Sequence, residues 1–97
     1  LLHNIVQFKN KNYITLQLIK YMKDDLNIYN KDGYTPLYIA CIHQNIDIVR
    51  QLVYNGSNHH IQCYGYLSPY DYCNTAKVVN SIYNDMFNFF CIIDGSL

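Results

Sequence analysis

Between Thr35 and Gly56 the chain carries two short apolar stripes back to back, and neither is long enough to hold itself folded. Thr35 can cap a helix by accepting a hydrogen bond from a free N–H of the first turn. Pro36 fits the first helical position, where no N–H is needed. Leu37, Ala40 and Cys41 follow at i, i+3, i+4 as one narrow apolar stripe. Ala40 and Cys41 are small, which lets a second helix approach closely, and the stripe stops near Gln44-Asn45. Ile48, Val49, Leu52 and Val53 then form a second stripe at the same spacing. Asp47 lies in its first turn, where the helix dipole favours a carboxylate. Gly56 suits the left-handed residue that commonly ends a helix. The pattern predicts helices over positions 36–43 and 47–55. Both are shorter than the roughly 12 residues at which an isolated helix becomes even marginal in water. Such a pair must stabilise itself and then find further partners.

Internal repetition supplies them. A shift of 33 residues carries Thr35-Pro36 onto Ser68-Pro69, the same cap-plus-proline chemistry. In the other direction Asn27 falls under His60, Ile19 under Leu52 and Leu16 under Val49. "YITLQLIKYM" therefore reads as the second helix of a preceding unit. Leu2-His3 reads as the front of that unit's first helix, given a connecting loop about two residues longer. A turn signal precedes each cap: "NKDGY" at Asn30–Tyr34, with its tight-turn Asp-Gly pair, and "CYGYL" at Cys63–Leu67.

"NKDGYTPLYIACIHQNIDIVRQLVYNGSN" resembles the ankyrin repeat, in which a turn leads into Thr-Pro-Leu, two antiparallel helices, a glycine and a loop returning to the next turn. The resemblance implies an all-α solenoid of stacked antiparallel helix pairs joined by hairpin-like turns. It divides the chain into a partial first repeat (1–26), a complete repeat (27–59) and a divergent C-terminal capping repeat (60–97). The family's His after Thr-Pro-Leu is Tyr38 here. Its Gly-His between helices is Gln44-Asn45, so a non-Gly residue is expected in a left-handed conformation, which Asn tolerates best. Lys23 stands where Gly56 stands one unit later, leaving that helix end open. In the last unit Tyr70 replaces Leu, and Gly65 sits one residue further from Ser-Pro than Gly33 does from Thr-Pro. If Val78, Val79 and Ile82 mimic Val49 and its neighbours, the link between the two helices there is about three residues shorter. "MFNFFCIIDGSL" is expected to extend the last helix or fold back over it. Phe87, Phe89, Phe90, Ile92 and Ile93 would then cover the end of the stack, the alternative being that they dock onto another domain.

Composition narrows the chemistry. Among 97 residues, seven basic and seven acidic side chains cancel, every acid is Asp, and charged residues make up 14%. That is well below the usual quarter, so Asn, Tyr, Gln and Ser must cover much of the surface. A neutral chain with one Arg lacks the electrostatic footprint of a nucleic-acid binder. The apolar run near "MFNFFCII" is too short to insert into a membrane. Cys41, Cys63, Cys73 and Cys91 form no CxxC pair and read as reduced thiols, pointing to an intracellular, cytoplasmic setting. A chain opening on Leu1 is expected to continue into further repeats or domains of a longer parent.

No metal, cofactor or catalytic site is expected. His59, His60, Cys63 and Cys73 are the ligand-type residues that cluster in sequence, but their spacing matches no standard zinc pattern. His60 occupies the slot of Asn27 and is expected to hydrogen-bond backbone. Cys41 and His43, two apart on a helix, do not face each other. Cys63 lies on a turn and is expected to be exposed. Asp24-Asp25 reads as a solvated loop.

The ankyrin resemblance implies a non-catalytic module that binds a protein partner through its turn tips and the concave helix face of an elongated slab. In this chain the projecting residues would be Lys31, Asp32 and Tyr34 on one turn, Ile42 and His43 on the helix, and Tyr64 and Tyr66 on the next turn. Tyr and Ile would supply contact area, while Lys31 and Asp32 would tune orientation. The alternatives are an architectural spacer in a longer array, or a regulatory segment of a protein whose effector domain lies elsewhere.

Overall fold

The computed structural model describes residues 1–96. Six α-helices follow in order: α1 (Leu2–Ile5), α2 (Asn12–Tyr21), α3 (Pro36–Ile42), α4 (Ile46–Tyr54), α5 (Pro69–Ala76) and α6 (Ser81–Ile93). They form three hairpins, α1 with α2, α3 with α4 and α5 with α6. The hairpins stack in chain order: α1 packs on α3 and α3 on α5, while α2 packs on α4 and α4 on α6. No strand occurs among the described residues.

The central hairpin forms as its residues dictate. Thr35 is extended and its hydroxyl accepts from the Tyr38 N–H at 3.3 Å, with Pro36 opening the helix. Leu37, Ala40 and Cys41 are fully buried, as are Ile48, Val49 and Leu52 opposite them. Between α3 and α4 the left-handed residue is Gln44, with φ 59°, and not Asn45. Asn45 is needed elsewhere. Its buried amide donates to Val6 O at 2.8 Å and to Asn12 Oδ1 at 2.9 Å, and accepts from Asn12 Nδ2 at 3.0 Å. Asn12 lies one 33-residue period earlier, so the two side chains tie successive units together through a satisfied buried network.

The first unit has the longer connection, running over 6–11 with a 3₁₀ turn at Lys9–Lys11. Without a glycine at its end, α2 closes through Met22 into a second 3₁₀ turn, Lys23–Asp25, where both carboxylates are exposed. Across the next boundary Asn27 takes over two loop groups, donating to Gly56 O at 3.2 Å and accepting from the Asn58 N–H at 2.7 Å.

The last unit departs from expectation. Val78 and Val79 are 84% and 85% exposed and do not take the place of Val49. The α5–α6 connection spans 77–80, longer than the 43–45 link and not shorter. Asn80 caps the new helix by accepting from the Ile82 N–H, so α6 starts beyond the valines. Its buried face is Tyr83, Met86, Phe89, Phe90 and Cys91, which cover α4 and α5. The run "MFNFFCII" is thus the body of the last helix, with Ile92 and Ile93 left exposed. At its front, Ser68 and Asp71 form a reciprocal capping box that fixes the start of α5.

The molecule measures 32 × 25 × 24 Å with a radius of gyration of 12.2 Å. Three short units make a compact body rather than the elongated slab expected of a longer array.

Candidate functional site

The turns that join the hairpins stand side by side. In the first, Asn30 organises the loop: its N–H donates to Tyr34 O at 2.8 Å, and its side-chain oxygen accepts from the N–H groups of Asp32 and Tyr34. Gly33 closes it with φ +86°. A Cβ at that position would lie 3.1 Å from the Tyr64 side chain, so the glycine serves both conformation and close approach. The second turn repeats the ladder, with the Cys63 N–H donating to Leu67 O. The backbone bond from Tyr64 N–H to Gly33 O at 3.0 Å ties the two together.

This docking brings four of the sequence-selected residues to one place. Lys31, Asp32, Tyr34 and Tyr64, with Gly33, line a shallow depression between the turns. Tyr66 stands on the second turn, 83% exposed and in a left-handed conformation with φ 68°. Ile42 and His43 are not brought there; they lie at the far end of α3, about 10 Å away by helix rise.

A row of tyrosines spans the gap. Tyr34, Tyr38, Tyr72 and Tyr83 follow with ring centroids 5.2, 5.4 and 5.5 Å apart, and the Tyr83 hydroxyl donates to Ile42 O at 2.9 Å. Tyr38, Tyr72 and Tyr83 were not selected from the sequence, although Tyr38 already stood out as a replacement at a patterned position. Burial, and secondarily neighbouring Cys63, pushes the Tyr38 hydroxyl up to about 12, and burial likewise raises that of Tyr72. Both stay neutral at ordinary pH, and with Tyr38 and Tyr83 only 5% and 7% exposed the row packs α3, α5 and α6 against one another.

The histidines and cysteines considered for metal binding separate. Cys63 is buried, 7% exposed, because docking of the turns aims its sulfur at Thr35 Oγ1, 3.8 Å away. Cys73 is buried beside Cys41, whose thiol is pushed well up by burial. His60 does not hydrogen-bond backbone through its ring. Its Nε2 and that of His59 each lie 2.7 Å from one oxygen of Asp94, at the end of α6.

Residues 1–77 match the family described as ankyrin repeats (3 copies). The chain belongs to the ankyrin-repeat family. No curated protein matches it. Ankyrin repeats are generally protein-interaction modules and typically non-catalytic. In this ankyrin chain the match stops before α6, so that helix and its Asp94 lie outside the matched stretch. No helix among the described residues is long and apolar enough to cross a membrane.

Proposed function

We propose that this chain is a non-catalytic recognition module that binds a protein partner through its paired turn tips and the concave helix face beside them. The observation that carries the reading is the depression lined by Lys31, Asp32, Tyr34 and Tyr64. Residues from two different units converge there on a backbone fixed by hydrogen bonds. Exposed Tyr64 and Tyr66 offer large amphipathic rings that lose little rotamer freedom on contact, the side-chain type enriched at binding hot spots. Lys31 and Asp32 add one charge of each sign, suited to setting orientation rather than to attracting a charged polymer. Ile42 and His43 extend the surface at the far end of α3. Residues 60–97 act as the capping unit of the stack, and residues 1–26 as a partial leading repeat. The setting we infer is cytoplasmic, with the module contiguous to further repeats or domains of its parent.

The test is partner capture from the native cell with the chain and two variants whose folding is checked by circular dichroism. Tyr34→Ala/Tyr64→Ala should lose the captured proteins. Arg50→Ala/Gln51→Ala, in the separate groove between α2 and α4, should retain them. Retention of every captured protein by the tyrosine variant would favour an architectural spacer instead.

A further inference from the structure

We propose that His59, His60 and Asp94 form a binding site for a divalent transition-metal ion of the imidazole-preferring class, Zn2+ foremost, which clips the end of α6 to the loop entering the last unit. The donor set is two imidazoles and one carboxylate, with room for water or a further ligand in the remaining position, the composition of an open zinc site. The geometry is close to that required. His59 Nε2 lies 2.7 Å from Asp94 Oδ1 and His60 Nε2 lies 2.7 Å from Oδ2, and all the donor atoms fall within 4.8 Å of one another. Tetrahedral zinc with bonds of about 2.0–2.1 Å holds its ligand atoms roughly 3.3 Å apart. Entry of the ion therefore asks each nitrogen–oxygen pair to open by about half an ångström, and donor atoms as much as 4.8 Å apart to close by up to about 1.5 Å, a shift that the exposed His60 and Asp94 side chains can make.

The ligands are held in advance. His59 is 6% exposed and stacks on Phe90, with ring centroids 4.7 Å apart and planes 12° apart. Its carbonyl accepts from the Tyr70 N–H, and the His60 N–H donates to Asn58 Oδ1, so the loop backbone is fixed on both sides of the pair. The His60 ring leans on Tyr70, 4.8 Å between centroids. Asp94 is pinned at the end of α6 by its N–H donating to Phe90 O at 2.9 Å. Entry is open, because the His60 and Asp94 side chains are 50% and 24% exposed. Binding moves the proton of each neutral imidazole from Nε2 to Nδ1, freeing the Nε2 lone pair for the ion. For His59 this leaves a buried Nδ1–H with no acceptor among the described residues, a cost that the bonds to the ion must offset. Adjacent histidines whose ring nitrogens meet at one carboxylate, 34 and 35 residues along the chain, are brought together by the stack and by nothing local.

The experiment is titration of the full chain with CoCl2, followed by ZnCl2, read by visible absorption and by thermal melting. The expected result is the d–d absorption of tetrahedral cobalt without a thiolate charge-transfer band, its loss on adding Zn2+, and a rise in Tm with Zn2+ that a chelator reverses. His60→Ala and Asp94→Asn, both at solvent-facing positions, should each weaken Co2+ at least as much as the roughly 10–100-fold that loss of a supporting partner behind a ligand costs. Absence of the cobalt spectrum and of the Tm shift would overturn the proposal. So would a thiolate band, or affinity unchanged in both variants, since either would put the ion elsewhere.

Discussion

Tyr66 stands where Gly33 stands one unit earlier, and both backbones are left-handed, with φ of 68° and 86°. A side chain in that conformation costs about 1–2 kcal/mol. Glycine would relieve it while giving up roughly 0.5–1 kcal/mol in chain entropy. The ring is almost wholly in solvent, so no packing is lost. Tyr66→Gly should therefore stabilise the chain by about 0.5–1 kcal/mol, read as a higher denaturant midpoint at unchanged slope. A lower midpoint would mean that Tyr66 makes intramolecular contacts of its own. The sequence showed Gly65 to be one position out of step, but not that the misfit would fall on the next residue. Strain of this kind, held on an exposed turn tip, is compatible with the contact role proposed for Tyr66.

At the level of elements, α3 was legible almost residue by residue. Its cap, proline and buried stripe are local chemistry, and local chemistry is what a sequence displays. α6 was not. The pair Val78-Val79 mimics the apolar spacing of α4, whereas the stop after Ala76 and the restart at Asn80 depend on which face α4 leaves open. The Ser68–Asp71 capping box is local chemistry of the same kind, a Ser followed three residues on by an Asp. The convergence of His59 and His60 on Asp94 depends on where two distant backbones end, and no spacing rule reports that. The tyrosine row linking α3 to α5 and α6 lies in between, with Tyr38 flagged and its neighbours supplied by stacking. That row gives the fold an alkaline limit. The folded pKa of Tyr38, about 12, lies above its ordinary value of 10.0, because burial disfavours the tyrosinate. Stability from this group is complete below pH 10 and is lost as pH rises through 12. Tyr72 is shifted in the same direction. Tyr38→Phe should flatten the fall in Tm above pH 10; an unchanged alkaline limb would show that ionisation of Tyr38 does not govern it.

For the whole molecule, three units are the number at which a repeat stack becomes self-supporting. One buried cluster runs through all of them, from Leu2 and Val6 through Leu37, Ile48 and Leu52 to Met86 and Phe90. Asn12 and Asn45 bridge the first boundary and the docked turns bridge the second. With a radius of gyration close to the roughly 12.5 Å of an ordinary globular domain of this length, the stack has no remote end that could open without exposing shared core. The proposed binding surface depends on that continuity, because its residues come from two units and face one another only while the hairpins stay docked. Native-state hydrogen exchange tests this most directly. The account predicts that core amides of α2, α4 and α6 exchange with a common opening free energy that falls together with added denaturant. Protection confined to α3 and α4, with α2 and α6 exchanging at unprotected rates, would contradict it.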